Sequence, residues 1–175
     1  MTTSFNQTKT FSDLYITTQK GSITKLINDA FTKNPDYKYY HITNDDFIYK
    51  TTSWDKIIID KLEFKGGGIA YANDLFSSDL PTAPFITGDY ARVLGWLQLP
   101  TLKHLSGDLV WRQIGLGLNR LYYLNEVIIE HKQEKDGVYE KTNSQEMYKK
   151  DGKAFKEWLY TQCPRDIEAI RHMGV

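Results

Sequence analysis

Asn44-Asp45-Asp46 follows the run Tyr37 to Thr43, which reads as a strand. Acidic groups at the carboxyl end of a strand sit where open α/β sheets bind ligands. Two adjacent carboxylates there can hold a hard divalent cation that also takes phosphate oxygens. The same residues equally suit a plain turn, because Asn and Asp bond their own backbone. Glu130-His131 follows the apolar run Val127-Ile128-Ile129. Imidazole is a frequent metal ligand, and a strand-end His is also commonly just exposed. Ser106-Gly107-Asp108 opens a helical pattern. Its carboxylate has two readings, a helix-start acid favoured by the helix dipole or a general base aimed into a cleft.

Other candidates are weaker. Cys163 is the single cysteine, so the chain forms no internal disulfide, and its neighbours Gln162 and Pro164 match no nucleophile signature. Gly66-Gly67-Gly68 has neither the Gly-Lys-Ser/Thr ending of a phosphate loop nor GxGxxG spacing, and it reads as a turn. The four histidines lack short zinc spacing.

Elements that position these residues can be read from pattern. Leu14-Tyr15-Ile16-Thr17-Thr18 is β-branched and aromatic, a strand. Ser22 caps a helix over residues 23–31, with Ile23, Leu26, Ile27 and Ala30 on one face. Asn34-Pro35-Asp36 stops it. Thr52 and Asp55 have capping-box spacing before a helix carrying Ile58, Ile59 and Leu62. Strands are expected at 69–72, 84–87, 121–124 and 127–129, and helices at 89–94, from 106, at 147–160 and at 165–172. Residues 132–145 are charged and polar, a loop, and residues 1–10 read as a flexible lead. Strand and helix alternate, so the expected class is α/β: a mixed, mainly parallel sheet covered by helices. The division expected is a single domain over 11–175, with a helical C-terminal tail over about 146–172.

The 175 residues suit one core, and 22 basic against 22 acidic side chains leave no net charge. That argues against a nucleic-acid surface. Apolar runs such as Ile57-Ile58-Ile59 are too short for a membrane span, and residues 1–10 carry no signal-peptide pattern. A cytoplasmic location is the simplest expectation.

The order of the pieces resembles glycosyltransferase-like proteins of the GT-A fold, especially a group common in bacteriophages and bacteria. The resemblance runs from about Gly21 to Leu159. It is carried by Tyr39-Tyr40-His41-Ile42-Thr43-Asn44-Asp45-Asp46, Thr52-Ser53-Trp54-Asp55, Tyr71-Ala72-Asn73-Asp74 and Pro84-Phe85-Ile86-Thr87. Further matches are Leu94-Gly95-Trp96, Asp108-Leu109-Val110-Trp111, Asn119 to Leu124 and Val127 to His131. Asp136-Gly137-Val138-Tyr139 and Asp151 resemble the family's charged tail. The resemblance implies transfer of a sugar, with inversion, from a nucleotide-diphosphate sugar to an acceptor hydroxyl. Mn²⁺ or Mg²⁺ would be held by Asp46 and His131. Asp108 would be the base. Asn44, Asp45, Trp54, Asn73 and Asp74 would lie on the donor side, with Trp54 and the Asn73-Asp74 loop equally open to a structural role.

The chain departs from the family at its front. Such enzymes have two strand–helix units before the acidic motif, whereas 43 residues precede Asn44, room for one. The resemblance therefore implies an incomplete N-terminal half and a homo-oligomer or a missing partner chain. The alternative function is a catalytically inactive GT-A-like domain that binds a partner or a glycan. A nucleotidyltransferase would need a glycine-rich N-terminal nucleotide loop, which the sequence lacks.

Overall fold

A computed structural model describes residues 22–132 and 145–173. The strand expected at 14–18, the lead over 1–10, the charged loop and Asp136 to Tyr139 lie outside those residues. In chain order the elements are α1 (Ile23–Lys33), β1 (Tyr39–His41), β2 (Phe47–Tyr49), α2 (Trp54–Phe64), β3 (Ile69–Asn73), β4 (Phe85–Thr87) and α3 (Gly88–Leu94). They continue with α4 (Gly107–Leu118), β5 (Leu121–His131), α5 (Gln145–Thr161) and α6 (Cys163–Arg171). Ser22 does cap α1, accepting from Lys25 N–H at 3.2 Å. Thr52 does not cap α2. Ser53 is the cap residue, in a left-handed conformation and without a side-chain bond.

The five strands are ordered β1-β4-β3-β5-β2. Only β3 and β5 run parallel, while β1–β4, β3–β4 and β2–β5 are antiparallel. The expectation of a mainly parallel sheet is therefore corrected. A parallel neighbour needs a covering crossover, usually a helix. β3 returns to β4 through a helix-free loop over residues 74–84, so the two pair antiparallel. The two strands expected at 121–124 and 127–129 are one strand with a bulge. Ala72 pairs Leu124, and the next partner of β3, Asn73, faces Ile128. A bulge bends its strand and increases its twist. Beyond it β5 pairs with β2 instead, and the sheet curls until its end strands β1 and β2 are joined by the short turn 42–46.

Helices cover both faces. One core holds Ile69, Ile86, Tyr90, Trp111, Ile114 and Trp158, under α1, α3, α4, α5 and α6. The other holds Phe47, Ile58, Leu62, Phe85, Leu124 and Val127, under α2. The triglycine is the turn between α2 and β3. A Cβ on Gly68, at φ +146°, would stand 2.5 Å from the Tyr122 ring and 2.8 Å from the Arg120 carbonyl. The Arg120 guanidinium fastens that turn by donating to the carbonyls of Lys65 and Gly66 at 2.9 and 2.8 Å. Asp151 of α5 is buried and accepts the N–H groups of Lys103, His104 and Leu105 at 2.8–3.0 Å, which locks the loop that leads into α4.

Candidate functional site

The register of β2 on β5 builds the site. Phe47 pairs with His131, and Lys132 N–H donates to the Asp46 carbonyl at 2.8 Å. Asp46 and His131, 85 residues apart in sequence, thereby come together, with Asp46 Oδ2 3.1 Å from His131 Nε2. The imidazole is clamped. It stacks on Phe47 at 4.4 Å, and the Phe76 ring stands edge-on at 6.0 Å. Two polar atoms here, Asp46 Oδ1 and His131 Nδ1, are buried without a hydrogen-bond partner. Leaving such atoms unpaired is costly; a group bound at Nε2 and the carboxylate would satisfy Oδ1 alone, because Nδ1 faces away from Nε2.

The two side chains lie at hydrogen-bond distance, and both are of types that can ligate a divalent cation. Octahedral ligation at metal–ligand distances of about 2.1 Å places neighbouring ligand atoms about 3 Å apart, close to the 3.1 Å between Oδ2 and Nε2. Among the described residues no three His, Cys, Asp or Glu side chains gather as a metal cluster. Asp46 and His131 could thus supply two ligands, and other positions would fall to phosphate oxygens and water.

The loop after β3 adjoins this pair, because His131 N–H donates to the Asp74 carbonyl at 3.1 Å. Asp74 itself is buried. Its Oδ1 accepts from Phe76 and Ser77 N–H at 2.8 and 2.9 Å, and its Oδ2 accepts from the Thr82 hydroxyl at 2.8 Å. Its carboxylate therefore holds its own loop. The Asn73 amide accepts from Leu75 N–H at 2.9 Å and donates to Asn125 at 3.1 Å. Asn44 and Asp45 are exposed in the β1–β2 turn. Trp54 belongs to an aromatic cluster with Tyr49, His41 and Phe85, at ring separations of 4.4, 5.7 and 5.5 Å.

Asp108 lies in the first turn of α4, and its Oδ1 accepts from Leu109 N–H at 2.8 Å. Burial holds its pKa above the usual carboxylate range, partly offset by that hydrogen bond. Arg112, one helical turn on, donates to the Asp79 carbonyl at 2.7 Å, in the loop after β3. Gly115, further along, faces Ile69 and Leu121 where β3 and β5 begin. The helix thus runs back along the sheet, with its first turn toward the loop after β3, and among the described residues no hydrogen bond or ion pair joins Asp108 to Asp46 or His131.

Nothing among known protein families, curated proteins or solved structures matches this chain. Its own geometry carries the functional argument.

Sequence reading missed two features. β2 is three residues long, too short for periodicity to register. The second is a relay behind the acidic turn. His41 stacks on Phe85 at 3.7 Å, its Nδ1 lies 3.3 Å from the Pro84 carbonyl, and its Nε2 is 2.8 Å from the Tyr49 hydroxyl. Tyr49 in turn meets the Thr43 hydroxyl at 2.9 Å. A carbonyl only accepts, so the neutral ring carries its proton on Nδ1 and accepts from Tyr49 at Nε2.

Proposed function

We propose that this chain is a GT-A-like glycosyltransferase domain that acts on a nucleotide-diphosphate sugar with a divalent cation at Asp46 and His131. The observation that supports the reading best is the meeting of Asp46 Oδ2 and His131 Nε2 at 3.1 Å, with the other carboxylate oxygen, Oδ1, buried and unpartnered. Bound there, Mn²⁺ or Mg²⁺ would offset charge on a diphosphate leaving group. One nitrogen among oxygen ligands suits Mn²⁺ better than Ca²⁺.

Asp108 would take the proton of the acceptor hydroxyl as that oxygen attacks the anomeric carbon from the face opposite the leaving group. Its raised pKa suits a base, because a carboxylate desolvated by its surroundings holds a proton more tightly. Exposed Asn44 and Asp45 stand two and one positions before Asp46, within the turn that a bound donor would meet.

Calorimetric titration of Mn²⁺ with and without a nucleoside diphosphate tests the reading. Binding should be weak for either alone, stronger together, and lost in Asp46→Ala. Equal titrations of the two proteins would reject it.

The edge of the sheet supports a further part of the same proposal. Among the described residues β1 pairs only with β4, and Tyr40 and His41 of β1 help line a groove of about 290 Å³ with Ile27, Phe31 and Tyr37. An unpaired strand beside apolar surface favours association. We therefore expect a homo-oligomer or a required partner chain, and light scattering that shows a monomer with full donor affinity would overturn this. No helix among the described residues is long and apolar enough to cross a membrane.

A further inference from the structure

The loop after β3 presents an apolar tip that the core does not use. Phe76 is 60% and Leu75 is 52% exposed, although Phe76 still borders the His131 ring at 6.0 Å. The tip is rigidly set. Asp74 holds the N–H groups of Phe76 and Ser77, Asn73 holds that of Leu75, and Leu75 itself is in the left-handed region at φ +69°. Residues in that region persist where the surroundings over-determine them. The backbone anchors Phe76, and the ring meets His131 only edge-on while most of its surface stays exposed.

The surroundings define the chemistry. Polar side chains lie along the same end of the sheet: the Asn73 amide bonds Asn125, and the Tyr123 hydroxyl donates to Asn125 at 3.2 Å. An exposed flat ring against His131, at the end of the sheet that also carries these amide and hydroxyl groups, matches a ligand with an apolar face and a polar rim. A pyranose ring is such a ligand. Its axial C–H bonds form an apolar face that an aromatic quadrupole attracts, and its hydroxyls seek hydrogen bonds. We propose that Phe76 is a stacking platform for a pyranose ring next to the Asp46–His131 pair. This rests on reading that pair as a diphosphate-sugar site, and the experiment separates the two.

Saturation-transfer NMR tests the platform, with Mg²⁺ present and two sets of probes. One set is the methyl pyranosides of glucose, galactose, mannose and N-acetylglucosamine. The other is uridine diphosphate glucose and guanosine diphosphate mannose. At least one probe should show saturation concentrated on the C–H protons of one ring face. Affinity should fall about two- to tenfold in Phe76→Ala, as loss of one aromatic contact implies, and be retained in Phe76→Trp. Phe64→Ala, which removes another exposed ring at the end of α2, should change nothing. Binding of a free glycoside would mark an acceptor site, and binding of nucleotide sugars alone a donor site. Absence of any Phe76-dependent saturation overturns the proposal. So does a change of oligomeric state in the Leu75→Ser/Phe76→Ser double variant, since the tip would then be a protein contact. Calorimetry of Mg²⁺-pyrophosphate on wild type and Asp46→Ala reports separately on the diphosphate site. Its failure with a surviving Phe76 effect would remove the diphosphate reading and leave the platform.

Discussion

Asp108 shows how environment assigns a role to an ordinary carboxylate. In the sequence it is a helix-start acid. In the structure burial raises its pKa, partly offset by backbone N–H groups of Leu109 and of Asp108 itself. If it is the base, Asp108→Asn should lower the transfer rate by about 10²–10⁴, with donor binding by calorimetry unchanged. The acid limb of the pH–rate profile should lie above the usual carboxylate range, because the reactive form is deprotonated. A variant with near wild-type rate would remove Asp108 from the chemistry. Phe76 is the opposite case. Its exposure and neighbours, not its type or spacing, single it out, so no pattern in the chain could have done so.

At the scale of elements, the turn 42–46 depends on what lies behind it. His41 at the end of β1, Tyr49 at the end of β2 and Thr43 in the turn are joined through hydrogen bonds. Burial lowers the His41 pKa to about 4 from 6.5, partly opposed by the Pro84 carbonyl. The folded ring is therefore neutral where the unfolded one takes a proton. Its stabilising contribution is complete above pH 6.5 and is lost as pH falls toward about 4. The loss should be on the order of 2–3 kcal/mol. Urea unfolding at pH 7, 5.5 and 4 should show this decline in the wild type and a shallower one in His41→Phe, which keeps a flat ring on Phe85 but cannot titrate. Parallel curves would show that another group governs acid stability.

For the whole molecule, one buried carboxylate on the C-terminal helices fastens the loop that leads into α4, beside their core packing and the Arg171 bond to the Gly117 carbonyl. Asp151 on α5 receives three consecutive N–H groups from the loop that delivers Ser106, in a left-handed conformation, to the start of α4. Asp151→Ala leaves those donors without their acceptor and should cost about 2–4 kcal/mol. The urea midpoint measures it, and Asp151→Asn, which keeps one carbonyl oxygen, should fall between. A midpoint within error of wild type for Asp151→Ala would show that water replaces the carboxylate without loss.

Local physics made several parts legible in the chain. Ser22 before an amphipathic run set the start of α1, Gly95 stopped α3 in a left-handed conformation, and the triglycine marked a turn. Each depends on backbone preference within a few residues. The residue types of the candidate site, Asp46, Asp108 and His131, were legible for the same reason: charge and ligand chemistry belong to the side chain itself. The sheet's direction and the site's assembly were not. That β4 runs antiparallel between β1 and β3, and that β5 bends at its bulge to reach β2, are settled by which strands bury which faces. The approach of Asp46 to His131 follows from that pairing across 85 residues. Capping can be decided within one turn of a helix, whereas strand register is decided only when distant segments compete to cover the same apolar surface.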